Sequence, residues 1–159
     1  MFKIKDFFKL ILSILVTLSA GFIGSMFTIT SINSWYADLI KPELNPPNWV
    51  FGPVWTTLYV LMGIAAFLVW KKDWHKKEVK HAICIFSVQL LLNATWSIIF
   101  FGLQSPGLAL INIVILWFMI LWTIILFYKI SKPAMYLLIP YILWVTFASY
   151  LNLSIWILN

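Results

Sequence analysis

Four residues, Gln89, Asn93, Trp96 and Phe100, follow one another at steps of four, three and four, which puts two amides and two aromatic rings on one helical face. Tyr141, Trp144, Ala148 and Asn152 repeat the pattern nearer the C-terminus, and Trp55 and Tyr59 pair at i, i+4 with Gly63 a turn further on. Such a set offers no acid, base or metal ligand. Its chemistry is recognition: flat apolar faces, a few hydrogen bonds, and small residues that leave room. No Asp, Glu, Lys, Arg or His occurs from Ala82 to Tyr128 or from Ala134 to Asn159, so proton relays and ion-coupled transport lack their usual groups. His75 and His81 sit in or beside a charged connection and read as solvated residues; no metal set is expected. There is no Ser-His-Asp set, glycine-rich phosphate loop or carboxylate pair, which excludes ordinary hydrolytic catalysis, and no cofactor is called for.

The elements that must position these faces are apolar throughout. The chain has 159 residues, 63% of them hydrophobic and 10% charged, with a mean hydropathy of +0.97; soluble domains are about 45–50% apolar. A spanning helix needs roughly 20 apolar residues, and five segments supply them, at about 7–30, 49–70, 82–102, 107–128 and 134–158. The reading is all-α: one domain over 1–159, an integral membrane bundle of five transmembrane helices. Ser19-Ala20-Gly21 imitates a signal cleavage site, but the first apolar run continues to Thr30 and reads as an anchor. Pro53 falls in the first turns of the second span, where a missing N–H is harmless, whereas Pro140 lies two turns into the fifth and requires a kink or a partner's hydrogen bond. Leu103–Gly107 is short enough to force a hairpin. Cys84, the single cysteine, matches neither a disulfide nor a metal pattern and reads as a small core residue.

All 11 basic residues are lysines, so bidentate arginine recognition is absent and nucleic acid is not an expected partner. Ten of them (Lys3, Lys5, Lys9, the five within 71–80, Lys129 and Lys132) fall on one side of the spans, and Lys41 alone on the other. That asymmetry predicts a cytoplasmic N-terminus and a non-cytoplasmic C-terminus. Segment 71–80 is also able to touch anionic headgroups.

Counted from each span's own start, Trp55, Trp96, Asn112 and Asn152 fall in the non-cytoplasmic half, with Asn93 and Trp144 near the midplane. Unpaired amides are unfavourable in hydrocarbon, so these groups are expected to face inward, either as interhelical ties or toward a bound molecule. Trp35, Trp49, Trp70, Trp74 and Trp156 lie near span ends, as an aromatic belt requires, and Trp117 and Trp122 are expected to face lipid. Above the aromatic half lies the longest connection, 31–48, containing "KPELNPPNW". Pro42, Pro46 and Pro47 fix φ and remove donors, so this segment reads as a stiff, non-helical lid, with Asn45 among them.

The stretches "WYADLIKPELNPPNWVFGPVWTTLYVLMG", "QLLLNATWSIIFFG", "PGLALINIVILW" and "LLIPYILWVTFASYLN" resemble, in register over about residues 30 to 159, the TspO/translocator protein family, also called tryptophan-rich sensory proteins or peripheral benzodiazepine receptors. The resemblance implies a five-helix membrane bundle that binds porphyrins such as protoporphyrin IX under the first loop, with animal members binding cholesterol and benzodiazepine-type drugs. Carried onto this chain, the pocket comprises Trp49, Trp55, Tyr59, Asn93, Trp96, Phe100, Trp144, Ala148 and Leu151. The resemblance also implies, for some bacterial members, light-dependent degradation of the porphyrin through tryptophans that fall on Trp55 and Trp144. It thus implies a tetrapyrrole-binding sensor or regulator, with a transporter of hydrophobic solutes and a photochemical enzyme as alternatives. The sequence departs from the family at Tyr150, which no basic residue follows as the animal cholesterol motif requires, although Leu126, Tyr128 and Lys132 fit a loose form of it. It departs also at Asn112, often acidic in the family. Homodimerisation in bacterial relatives is attributed to small residues of the third helix; here Ala20/Gly24 and Gly21/Ser25 on the first are the small pairs.

Overall fold

The computed structural model describes residues 4–159; Lys3 lies outside the described residues. Five helices are long and apolar enough to cross a membrane: α1 (Ile4–Ser31), α3 (Asn48–Trp70), α4 (Lys77–Ser97, continued by a π-helical turn, Ile98–Gly102), α5 (Pro106–Ile130) and α6 (Lys132–Leu158). A single-turn helix, α2 (Trp35–Asp38), interrupts the first connection. The protein is therefore an integral multi-pass membrane bundle. Its helices overrun the expected spans by a few residues, most at α4, which begins at Lys77 within the charged connection. Pro106 starts α5 at its first turn, where proline lacks no bond. Pro53 and Pro140 lie inside α3 and α6 without ending them.

Neighbouring pairs are α1 with α3, α3 with α6, α6 with α5, α5 with α4 and α4 with α1, so the five long helices close a ring. The end bearing Lys9, Lys71 and Lys129 is filled by aliphatic and aromatic side chains: Met62, Ala65, Val69, Leu116, Ile120 and Leu138 are completely or almost completely buried, and Phe86 stacks on Phe127 at 5.7 Å. Lys9 there places its ammonium 5.4 Å from the Trp70 ring, joining the start of α1 to the end of α3. Cys84 is exposed on α4 and takes no part in this core.

The first helix approaches its neighbours through small residues. A Cβ on Gly63 would lie 2.6 Å from Ile14 Cα, one on Gly21 2.3 Å from the Tyr59 ring, and one on Gly24 3.0 Å from Ser97 Oγ. The glycines read from sequence as a self-association surface are thus taken up within the chain. Thr17 Oγ1 donates to Tyr59 O at 2.7 Å, and Ser31 Oγ to Phe101 O at 2.7 Å. The second bond has a particular cause. In the π-helical turn Leu103 N reaches back to Ile98 O, five residues away, and the helix stops at Gly102, so the Phe101 carbonyl at its end needs an outside donor. Gln104 closes the turn with φ at 51°, a left-handed conformation that ends the helix before α5 begins.

Candidate functional site: an aromatic cavity beneath the first connection

At the end opposite Lys9, Lys71 and Lys129 the ring of helices is not filled. It encloses a cavity of about 600 Å³ lined by four of the five long helices, α5 being absent, with Tyr36 of α2 above. From α1 come Leu18, Gly21, Phe22, Ser25, Thr28 and Ile29, which share one helical face, with Ile32 just beyond its end; from α3 Phe51, Gly52, Trp55, Thr56 and Tyr59; from α4 and its π-turn Trp96, Ser97, Phe100 and Phe101; from α6 Trp144, Ala148, Leu151, Asn152 and Ile155. The two faces read from sequence on α4 and α6 do meet across one space.

The walls hold their rings by packing and by hydrogen bonds. Trp96 stacks on Phe100 at 5.1 Å, and its indole N–H donates to Asn152 Oδ1 at 3.0 Å. Asn152 in turn donates to Pro106 O at 2.7 Å, so one α6 amide ties α4 to the start of α5. Trp55 stacks on Tyr59 at 5.8 Å and meets Tyr141 edge-on at 6.4 Å. Trp144 lies edge-to-face with Phe51 at 6.1 Å.

The floor is a polar layer in an otherwise apolar interior. The Tyr59 hydroxyl donates to Asn93 Oδ1, Asn93 Nδ2 donates to the Tyr141 hydroxyl at 2.9 Å, and that hydroxyl donates to Gln89 Oε1 at 2.8 Å. Gln89 Nε2 ends the chain 4.0 Å from Met62 Sδ. Three helices are joined by groups that each find a partner, which is the condition under which a buried polar network rigidifies a bundle. Two buried polar atoms lack a partner among the described residues: Asn112 Oδ1 and the Trp144 indole N–H. The Trp144 ring borders the cavity while its N–H is buried within the wall; an unsatisfied buried group is unfavourable by about 1–3 kcal/mol.

The first connection covers the mouth. Tyr36 is buried against Phe100 and Phe101, and Trp35 meets Phe100 edge-on at 5.7 Å. The Tyr36 hydroxyl donates to Asn45 Oδ1 at 3.0 Å, and the Lys41 ammonium sits 4.8 Å from the Tyr36 ring. Burial raises the Tyr36 pKa and the Asn45 bond lowers it by less, so the phenol remains a neutral donor. Asn45 N also bonds Pro42 O at 3.0 Å, closing a turn within the proline-rich stretch. At the far end of the chain, Asn159 accepts from Ile40 N and donates to Ile40 O, both at 2.9 Å, and so clamps the connection to the end of α6.

Of the residues singled out from sequence, Trp55, Tyr59, Trp96, Phe100, Trp144, Ala148 and Leu151 line the cavity. Asn93 does not; it lies behind Tyr59 as part of the floor. Trp49 is 75% exposed and outside the lining, although its neighbour Asn48 lines the cavity. Pro42, Asn45, Pro46 and Pro47 are also outside the lining: the connection reaches the cavity through Tyr36, and part of it is helical where an irregular segment was expected. Asn112 is buried on α5, away from the cavity. Trp117 does not simply face lipid but donates to Thr146 Oγ1 at 2.8 Å, tying α5 to α6, while Trp122 is 46% exposed beside His81. Sequence reasoning missed the whole α1 wall. The available signal was the run of small residues at Ser13, Thr17, Gly21, Gly24, Thr28 and Ser31, which marks one helical face inside an apolar segment.

Comparison with known proteins places these features in context. The sequence model described as the TspO/MBR family matches residues 13–157. The tryptophan-rich protein TspO of Chlorobaculum tepidum is 47% identical over 98% of each chain. The translocator protein of Homo sapiens is 39% identical, over 85% of this chain and 80% of that protein. The tryptophan-rich sensory protein of Cereibacter sphaeroides is 35% identical, over 80% of this chain and 78% of that protein.

Proposed function

This chain belongs to the TspO/MBR family, and on that premise we propose that it is a membrane tetrapyrrole-binding sensor or regulator, holding protoporphyrin IX or a similar flat hydrophobic molecule in the cavity under the first connection. The observation that carries this reading is the cavity itself: about 600 Å³, within the range of roughly 300–1,000 Å³ typical of small-molecule sites, and walled by Trp55, Trp96, Phe100 and Trp144. Stacking on fixed rings favours a planar aromatic guest over a flexible chain. Segment 31–48 serves as the lid. The lysine-rich end faces the cytoplasm, which puts the lid and the C-terminus on the other side; a C-terminal reporter active only in the cytoplasm would refute that orientation.

Titrating lipid-reconstituted protein with protoporphyrin IX in the dark should give saturable quenching of tryptophan fluorescence. Trp144→Phe should weaken binding by about 1 kcal/mol, the scale of one aromatic contact, and Trp144→Ala by more. Non-saturable quenching, or an affinity indifferent to both Trp55→Ala and Trp144→Ala in folded protein, overturns the reading.

A second reading, light-dependent degradation of the bound porphyrin, is favoured by the Trp55–Tyr59 stack, which sets two oxidisable rings together at the cavity edge. Under illumination a defined product should then form, and Trp55→Phe and Trp144→Phe should lose product sooner than binding. Absence of any product from the illuminated wild type removes this reading and leaves the binder.

A further inference from the structure

We propose that the ligand reaches the cavity sideways, from the hydrocarbon of the bilayer through a gap between α1 and α3, rather than through the mouth under the first connection. The inference rests on the reading that the cavity binds a membrane-soluble molecule, and concerns how that molecule gets in.

Three observations carry it. First, the cavity's lining includes side chains that are open to the outside of the bundle. Phe22 and Ile29 of α1 are 67% and 70% exposed, and Gly52 and Thr56 of α3 are also exposed, yet all four line the same space as buried Tyr36 and Phe100. These residues belong to the membrane-spanning helices, so what lies outside them is lipid.

Second, the gap has defined limits. The two helices run antiparallel and touch where Gly63 meets Ile14 and Gly21 meets Tyr59. A rise of 1.5 Å per residue then brings Ser25 and Ile29 level with the Gly52 turn. At that level there is open space: a Cβ on Gly52 would meet nothing within 4 Å, whereas those on Gly21 and Gly63 would collide. Helix α1 is also the least embedded wall, with 17% of its most apolar stretch buried against 33–44% for the other four. Between its hydrogen bonds to neighbouring helices at Thr17 and Ser31, helix α1 packs beyond Gly21 on α4 and the π-turn, with Gly24 against Ser97 and Phe27 against Gly102, rather than on α3.

Third, the mouth is fastened. Tyr36 is buried on Phe100 and Phe101 and bonded to Asn45, and Asn159 holds both backbone groups of Ile40. Opening that way would break these contacts together. Opening sideways requires none of them to break, and a hydrophobic ligand is already concentrated in the phase that the gap faces.

The test follows the rates at which protoporphyrin IX, supplied dissolved in phosphatidylcholine vesicles, loads into and leaves the reconstituted protein in the dark. Along the series Gly52→Ala, Gly52→Leu, Gly52→Trp, loading and release should slow together, by tenfold or more at the largest side chain, because an obstructed route retards both directions. Thr56→Trp, on the same helix one turn away, should do the same and carries the test if a Gly52 variant does not fold. Asn159→Ala, outside the cavity, should leave both rates within twofold. The proposal is overturned if the Gly52 series and Thr56→Trp leave loading unchanged or alter release alone, or if Asn159→Ala speeds both rates fivefold or more. A wild type that binds porphyrin normally with such a result removes the lateral route only; one that shows no saturable binding removes the function reading as well.

Discussion

The cavity's floor and its α1 wall are both close-packed, but by different means. In the floor, Tyr59, Asn93, Tyr141 and Gln89 hold one another through directional bonds between three helices, and each side chain fixes the rotamer of the next. The α1 wall is held by proximity: glycines let backbone approach backbone and ring, with hydrogen bonds at Thr17 and Ser31 on either side of the cavity-lining stretch. Within a bilayer the hydrophobic effect does not drive helices together, so packing and polar ties must do so. A tied layer keeps one geometry; a packed one tolerates displacement until atoms collide. The same ring of helices thus carries a base tied by directional bonds and a flank held by packing.

Substitution at the tightest wall contact should have the largest effect. Gly63→Val would drive a branched side chain into the Ile14 backbone, which no rotamer change relieves, and should destabilise the folded protein by about 3 kcal/mol, the upper part of the overpacking range. Thermal unfolding in detergent measures it. A loss under about 1 kcal/mol would mean that α1 yields freely along its whole length and is not anchored below the gap.

Breaking the floor comes next. Asn93→Leu leaves the Tyr59 hydroxyl without its acceptor and removes one of the two contacts of Tyr141; about 2 kcal/mol of stability should go. Porphyrin affinity should fall too, although Asn93 is outside the lining, because Tyr59 and the Trp55 ring stacked on it lose their support. Unchanged stability and affinity would show the network to be incidental. The smallest effect is expected at the lid. Changing Pro42, Pro46 and Pro47 together to Ala should weaken porphyrin binding by about 1 kcal/mol through added chain entropy, with the unfolding temperature nearly constant. An affinity equal to wild type would leave the prolines no part in binding, and would fit a lid held by Tyr36 and Asn159 instead.

Much of this architecture was legible beforehand because it follows from composition and period. Five apolar runs specify five spans, and the inward faces of α4 and α6 could be read because Gln89, Asn93 and Asn152 are polar groups that hydrocarbon does not tolerate unpaired. The α1 wall escaped for the same physical reason: its cavity-facing Leu18, Phe22 and Ile29 are of the kind that also faces lipid, so polarity does not separate the two surfaces. The π-helical turn leaves no mark in composition, since it is a shift in backbone pairing and not in residue type. Trp49 misled because an interfacial indole and a pocket indole are the same residue type.

The clamp between Ile40 and Asn159 spans 119 positions of chain. Translation proceeds from the N-terminus, so during synthesis the lid and its prolines are in place long before their fastening exists. Until α6 has been made and has joined the ring, Trp144, Ala148 and Asn152 are missing from the cavity and nothing holds the mouth shut from that side. A chain that stalls before α6 can pack Tyr36 on Phe100 and Phe101, which precede that helix, but leaves Ile40 without the side chain that clamps it.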